Sequence, residues 1–140
     1  MRRIAAVMIL LAGAGLGASL LVRAQDSGSV AVIYYWKAKP GKLEEYNRYI
    51  KTIAERVDTD AQRQGAFLSV TTYISRKPDG PWTQMRVFIV KDRAQEAALA
   101  KALDDAGVRV EPDEAKRKAH QDLAASLRDF VAEEEVDLLR

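Results

Sequence analysis

The sequence predicts an α+β domain in which one antiparallel sheet is covered by helices on one face. Three observations lead to this prediction: short segments rich in β-branched and aromatic residues, longer segments whose apolar residues recur every three or four positions, and a Pro-Asp-Gly turn between two strand-like segments. The chain has 140 residues, no cysteine and no internal repeat. It is therefore the size of one domain, stabilised by its core without disulfides.

A signal peptide is predicted over residues 1–24. This stretch has a basic start, an uncharged run over 4–22 and a small residue, Ala24, at its exit, which predicts cleavage before Gln25. We therefore expect a single domain over 25–140 and a periplasmic or secreted location. The alternative is an uncleaved leader that tethers the domain to a membrane, because about 20 apolar residues can span a bilayer.

Removal of the leader changes the charge balance. Arg2, Arg3 and Arg23 belong to it, so 19 of the 22 basic residues remain against all 20 acidic ones. The basic cluster at 116–118 lies beside acidic residues and is typical of a solvated helix face. Nucleic acid is therefore not an expected partner, because its binding depends on clustered Lys and Arg. Membrane contact is expected only if the leader is uncleaved.

The first half of the domain reads as strand, helix and hairpin. Val30–Ala38 is a predicted strand whose near-continuous apolarity suggests cover on both faces. After Pro40-Gly41 the spacing becomes helical, with Gly65 as the expected stop. The residues that define this stripe are Leu43, Tyr46, Ile50, Ile53 and Val57. Two further strands, over 67–75 and 82–91, flank the Pro-Asp-Gly turn and form an antiparallel hairpin.

The second half reads as two helices and a strand. Asp92 is predicted to cap a short helix through Leu103 that closes near Gly107. Pro112-Asp113 is predicted to start a longer helix. Its apolar residues are Leu123, Leu127, Phe130 and Val131. The acidic run at 133–135 is a predicted solvated loop, and 135–139 a final strand that pairs with the first. This element order is that of a ferredoxin-like βαββαβ fold.

Strand alternation predicts which residues lie under the helices. We expect the more apolar rows there, namely Leu68, Val70 and Ile74 with Met85, Val87 and Ile89. The uncovered face then carries Ser69, Thr71 and Tyr73 with Gln84, Arg86 and Phe88. Either Val32, Tyr34 and Trp36 or Ile33 and Tyr35 join it, and the sequence leaves both open. Its aromatic content favours burial against a second copy.

The first strand running into Lys39-Pro40-Gly41-Lys42, followed by Leu43-Glu44-Glu45-Tyr46, resembles the opening of dimeric α/β-barrel domains. This superfamily includes NIPSNAP-like, EthD-like and antibiotic-monooxygenase-like proteins. The resemblance implies a homodimer whose two sheets close a barrel through the uncovered face. It implies no single reaction, because the superfamily includes cofactor-free oxygenases, haem-handling enzymes, isomerases and proteins without known activity.

Five residues are candidates for ligand binding: Tyr34, Trp36, Tyr73, Arg86 and His120. Arg86, at a strand centre, is predicted either to hold the carboxylate or enolate of a small ligand, or to form an interface ion pair or an aromatic stack. His120 lies on or beside the buried stripe of the last helix and is either a core histidine or, as the resemblance implies, a haem ligand. No metal is expected, because a single His without Cys cannot complete a conventional zinc site.

The sequence shows no nucleophile–base pair, phosphate loop or paired catalytic carboxylates. We therefore expect a homodimeric ligand-binding or structural module without a cofactor. The alternative is a cofactor-free or haem-dependent enzyme that acts on a small hydrophobic substrate. An enzyme requires a cavity lined by Arg86, Tyr73 or His120, whereas a purely structural module requires none.

Overall fold

The computed structural model of the chain describes residues 28–138. The predicted signal peptide and its cleavage point at Ala24 and Gln25 lie outside this range. The strands are β1 Val30–Ala38, β2 Ser69–Ile74, β3 Gln84–Val90 and β4 Arg128–Asp137. The helical elements are α1 Leu43–Tyr49, the π-helix π1 Ile50–Ala54, α2 Glu55–Arg63, α3 Arg93–Val110 and α4 Glu114–Leu127.

The four strands form one antiparallel sheet in the order β2-β3-β1-β4. Helices cover one face of it, so the predicted ferredoxin-like α+β fold is confirmed. The elements α1, π1 and α2 follow one another without a break and form the first helix. None of the described helices is both long and apolar enough to cross a membrane.

Several element ends follow from single residues that the sequence analysis identified. Gly65 follows α2 with φ of +79°, and its N–H donates to the Gln62 carbonyl at 2.9 Å, which closes the helix end. The Asp92 carboxylate accepts from the Gln95 N–H at 2.8 Å and caps α3. The predicted Gly stop and Asp cap are therefore confirmed.

The C-terminal third differs from the prediction. The helix α3 continues through Gly107 to Val110, so it is longer than α4. Phe130 and Val131, predicted in the last helix, lie in β4 together with the acidic run at 133–135. The apolar spacing fits a helix, but β4 pairs with β1 along its whole length, and those backbone hydrogen bonds decide the conformation. The predicted pairing of the last strand with the first is confirmed.

The predicted face assignment of β3 is wrong by one residue. Gln84, Arg86 and Phe88 are buried beneath the helices, whereas Met85, Val87 and Ile89 lie half-buried on the uncovered face. The strand register places Val32, Tyr34 and Trp36 on the helical side, and Ile33 and Tyr35 on the uncovered side. On β2 the prediction holds for Val70, but Leu68 and Ile74 are each 52% exposed.

Two apolar clusters fill the space between the sheet and the helices. The larger is formed by β1, β3, α2 and α3 around Val32, Phe67, Phe88 and Leu99. The smaller lies at the other end, where Tyr46, Ile50 and Leu127 pack with Trp36 against them. The helix α2 packs closely on α3, while α4 has few contacts with α3.

Candidate functional site

A buried ion pair explains why Arg86 faces inward. Arg86 is 8% exposed, and its guanidinium donates to the Asp58 carboxylate on α2 and lies 5.3 Å from the centre of the Phe88 ring. A further hydrogen bond joins its Nε to Thr72 Oγ1 at 3.4 Å. Burial raises the pKa of Asp58, and Arg86 opposes that rise. Arg86 is therefore held by its own chain and is not available to a ligand.

A second polar group on β3 is also satisfied within the chain. The Gln84 amide donates to Asn47 Oδ1 at 2.7 Å and accepts from the Thr83 hydroxyl. The same hydroxyl oxygen accepts from the Ala38 N–H at 2.7 Å. Across residues 28–138, every buried side-chain nitrogen or oxygen has a hydrogen-bond partner. The buried polar row of β3 is therefore a structural feature of the helix–sheet contact.

A cavity of about 300 Å³, here called the helical cavity, lies between the first helix, α3 and α4. Its apolar wall includes Ile53 of π1, Val57 of α2 and Leu103 of α3. The polar part of its lining comprises Arg56, Asp104, Glu111, Arg117, His120 and Gln121. Its volume lies at the lower end of the range for small-molecule pockets, roughly 300–1,000 Å³, which share this mixture of apolar walls and a few polar groups.

Two local irregularities border the helical cavity. Gly107 lies inside α3, and a Cβ added there would meet no atom within 4 Å. On the facing wall, π1 interrupts the first helix. A glycine inside a helix costs about 1 kcal/mol relative to alanine, and π-helical turns are frequent at functional sites. Both features widen or reshape the helical layer at the same point.

A more open groove of about 440 Å³, here called the Trp36 groove, adjoins the helical cavity. The two spaces share Tyr49 and Gln121 as lining residues and are here together called the cleft. Burial raises the pKa of Tyr49, while Arg128 and Arg86 oppose the rise. The centre of the Tyr49 ring lies 5.9 Å from the Arg128 guanidinium carbon, where the two spaces meet.

Arg128 lies in the wall of the Trp36 groove among aromatic rings. Its guanidinium carbon is 3.6 Å from the centre of the Trp36 ring and 5.2 Å from that of Tyr46. One N–H donates to the Tyr46 hydroxyl at 2.7 Å. Within the described residues it forms no salt bridge, because Asp129, the carboxylate of the groove, lies 3.7 Å from Lys39 Nζ.

The five predicted candidates do not converge on one site. Trp36 and His120 lie at the two ends of the cleft. Tyr34 packs edge-on against Phe88 at 5.8 Å, in the core. Arg86 is buried in its ion pair, and Tyr73 is 49% exposed on the opposite face of the sheet. Of the three residues named as requirements for an enzyme cavity, only His120 lines the helical cavity.

Sequence reasoning missed Asp58 and Arg128. Asp58 lies eight residues after Ile50, so two helical turns place it on the buried stripe, where a carboxylate signals a buried partner. Arg128 gave no such signal, because its segment was predicted to be helical. Its position depends on the bulge in the β1–β4 pairing between Tyr35 and Trp36, which no local pattern reveals.

The helical cavity by itself is small for haem, and the described residues offer no cluster of metal ligands. Among the described residues, no group of three or more His, Asp or Glu side chains could hold a metal ion. His120 lines the helical cavity, but about 300 Å³ does not admit a macrocycle the size of haem unless α4 moves away.

The fold is similar to that of HapK from Hahella chejuensis, with a TM-score of 0.52 and 11% identity over 79% of this chain and 92% of HapK. It also resembles SnoaB, a cofactor-independent oxygenase from Streptomyces nogalater, with a TM-score of 0.47 and 14% identity over 81% and 95% of the two chains. No protein-family model and no curated protein matches the sequence significantly. At this identity the likeness to HapK supports the fold alone and says nothing about chemistry.

Proposed function

We propose that this chain is an exported, homodimeric domain that binds a small, largely hydrophobic molecule in the cleft. The observation that carries the proposal is the helical cavity, which combines apolar walls with polar groups from α4 next to an open Gly107. Gly107 lines this cavity and has no side chain, so it leaves room beside α3. The ligand occupies the space that this glycine leaves.

A cavity-filling substitution tests the binding site. A panel of neutral and anionic aromatic and aliphatic compounds is screened by thermal shift, and affinities are then measured by calorimetry. A bound compound at a hundred times its Kd stabilises the fold by about 2.7 kcal/mol. Gly107→Leu should abolish binding, whereas Ala100→Leu, an exposed position on the same helix, should retain it. Equal binding by both variants, or no binding by any compound, contradicts the proposal.

The uncovered sheet face supports the homodimer. Its centre carries Ile33 on β1 with Met85, Val87 and Ile89 on β3, the more apolar row of that strand, while polar side chains point under the helices. An apolar row on a central strand without a covering layer indicates an interface. Val87→Lys should convert a dimer into a monomer in light scattering, and Ala100→Lys should not. A monomeric wild type contradicts the proposal.

An enzymatic role is the alternative that one observation favours. His120 lines the helical cavity, where an imidazole can accept a proton from a bound molecule without a cofactor. Incubation of a bound carbonyl compound in deuterated water, followed by mass spectrometry, tests this role. Deuterium incorporation that disappears in His120→Gln, with binding retained, supports an enzyme. Equal incorporation with wild type and variant contradicts it.

Export is proposed from the leader-like sequence before the domain. Mass spectrometry of the protein recovered from its native host identifies the amino terminus. A chain that begins at Gln25 supports a periplasmic or secreted location. A chain that retains residues 1–24 contradicts cleavage and favours a membrane-tethered domain.

A further inference from the structure

Arg128 is a cation placed for a ligand. The guanidinium lies on the Trp36 ring and uses one N–H for Tyr46, whereas Arg carries five N–H groups. No described carboxylate lies within 4 Å of it, although Asp129 lines the same groove and is held near Lys39. Arg128 therefore keeps several donors free of protein acceptors.

The walls of the Trp36 groove suit a planar aromatic group. Phe130 is 55% exposed, and its ring packs at a steep angle against that of Trp36, with the ring centres 5.2 Å apart. On the opposite side of the groove lie Ala124 and Ala125 of α4, whose small side chains take up little room. A flat ring can stack there, and a carboxylate attached to it can receive two parallel N–H bonds from a guanidinium, a geometry that lysine cannot offer.

The local electrostatics favour a monoanion. Arg128 lies at the C-terminal end of α4, where carbonyl groups repel anions. Two of these carbonyls are occupied, because Lys39 donates its backbone N–H to Leu127 and its ammonium group to Ala125, at 2.9 Å and 2.8 Å. The cations Arg128 and Lys39 thus outnumber Asp129 at this end of the cleft.

Resting on the small-molecule function above, we propose that Arg128 is the anion-binding residue of the cleft and that the ligand is an aromatic carboxylate. The carboxylate lies against the guanidinium in the Trp36 groove. The hydrophobic remainder extends past Tyr49 and Gln121 toward the helical cavity. Arg128 then sets specificity for the acid over its uncharged analogues, while the cavity supplies the apolar contacts.

The test compares 2-naphthoate with its uncharged analogue 2-naphthamide by calorimetry on the full mature chain. Wild type should bind the acid about ten- to a hundredfold more tightly, as expected for hydrogen bonds to a charged group. Arg128→Gln should reduce this preference to about one, and Arg128→Lys should leave an intermediate value. Arg76→Gln, an exposed arginine outside the cleft, should leave it unchanged.

A spectroscopic measurement covers the case in which Arg128→Gln does not fold. The Nε–H signal of Arg128, assigned in the wild type by nuclear magnetic resonance, should shift further at saturation with 2-naphthoate, which forms hydrogen bonds to the guanidinium, than with 2-naphthamide. Equal affinities for the two compounds, an acid preference that survives in folded Arg128→Gln, or an unmoved Arg128 signal each overturn the proposal.

The two proposals can fail separately. If neutral compounds bind and Gly107→Leu abolishes their binding, but 2-naphthoate does not bind, the aromatic carboxylate is overturned and the small-molecule function stands. If no compound of the panel binds, both are overturned.

Discussion

Removal of Asp58 should be among the most destabilising single changes in this domain. The side chains of Asp58 and Arg86 are 7% and 10% exposed, so Asp58→Asn leaves a guanidinium buried without its counterion. Arginine cannot lose its proton to escape this cost. Breaking a buried ion pair costs about 3–5 kcal/mol, which corresponds to a fall in Tm of roughly 12–20 °C for a domain near 100 residues.

The partner substitution should cost less, and its cost should depend on pH. In Arg86→Met the Asp58 carboxyl loses the group that opposes the effect of burial, so its pKa rises further. Because the pKa of this carboxyl is higher in the folded than in the unfolded state, its contribution to stability is complete at pH values below its unfolded pKa, near 3.9. That contribution is lost as the pH rises through the pKa of the folded state. Acidification should therefore narrow the difference in stability between Arg86→Met and wild type.

Urea denaturation of four variants checks the account. Asp58→Asn should lose the most stability, and the double variant Asp58→Leu with Arg86→Met should return close to wild type, because apolar groups replace the whole pair. Asp122→Asn breaks an exposed pair with Lys118 and should cost at most about 0.5 kcal/mol. A loss in Asp58→Asn no larger than in Asp122→Asn would refute the assigned burial of the pair.

Three further predictions concern single residues. Gly107→Ala should raise the free energy of unfolding by about 0.5–1 kcal/mol in thermal denaturation, because the added methyl meets no atom; a loss of stability would mean that the cavity wall is closed there. Burial raises the pKa of Tyr34 to about 12, and Glu133 adds to the rise. The stability that this tyrosine provides below pH 10 should be lost as pH rises through 12. In an ultraviolet titration, the tyrosine transition at the highest pH should be present in the wild type and absent from Tyr34→Phe. Asp92→Ala should cost about 1 kcal/mol through loss of the α3 cap in urea denaturation, and a cost equal to that of Asp104→Ala, an exposed position on α3, would contradict the cap.

Local patterns predicted most of the fold because each element has a strong local cause. The first strand has the predicted limits, Gly65 ends the first helix and Asp92 caps α3 where expected, although Gly107 does not end α3. The last strand was misplaced because its residues 130 and 131 continue the apolar spacing of α4. Only pairing with β1, almost a hundred residues away in the chain, makes this segment extended.

The face of β3 could not be predicted from hydrophobicity alone. Both of its rows carry apolar residues, and the more polar row is buried because Asn47 and Asp58 on the first helix satisfy Gln84 and Arg86. The two partners are 37 positions apart in the chain for Gln84 and Asn47, and 28 positions apart for Arg86 and Asp58. The same limit hid the cleft, since α1, α3 and α4 contribute to it and each contribution looks ordinary within its own helix.

The most direct test of the central claim is a crystal structure of the full mature chain grown with 2-naphthoate. The account predicts the ring system in the cleft beside Tyr49 and Gln121, with the carboxylate on Arg128. A cleft closed by its own side chains, with the compound absent or on the uncovered face of the sheet, would contradict the claim that this domain binds small molecules within its helical layer.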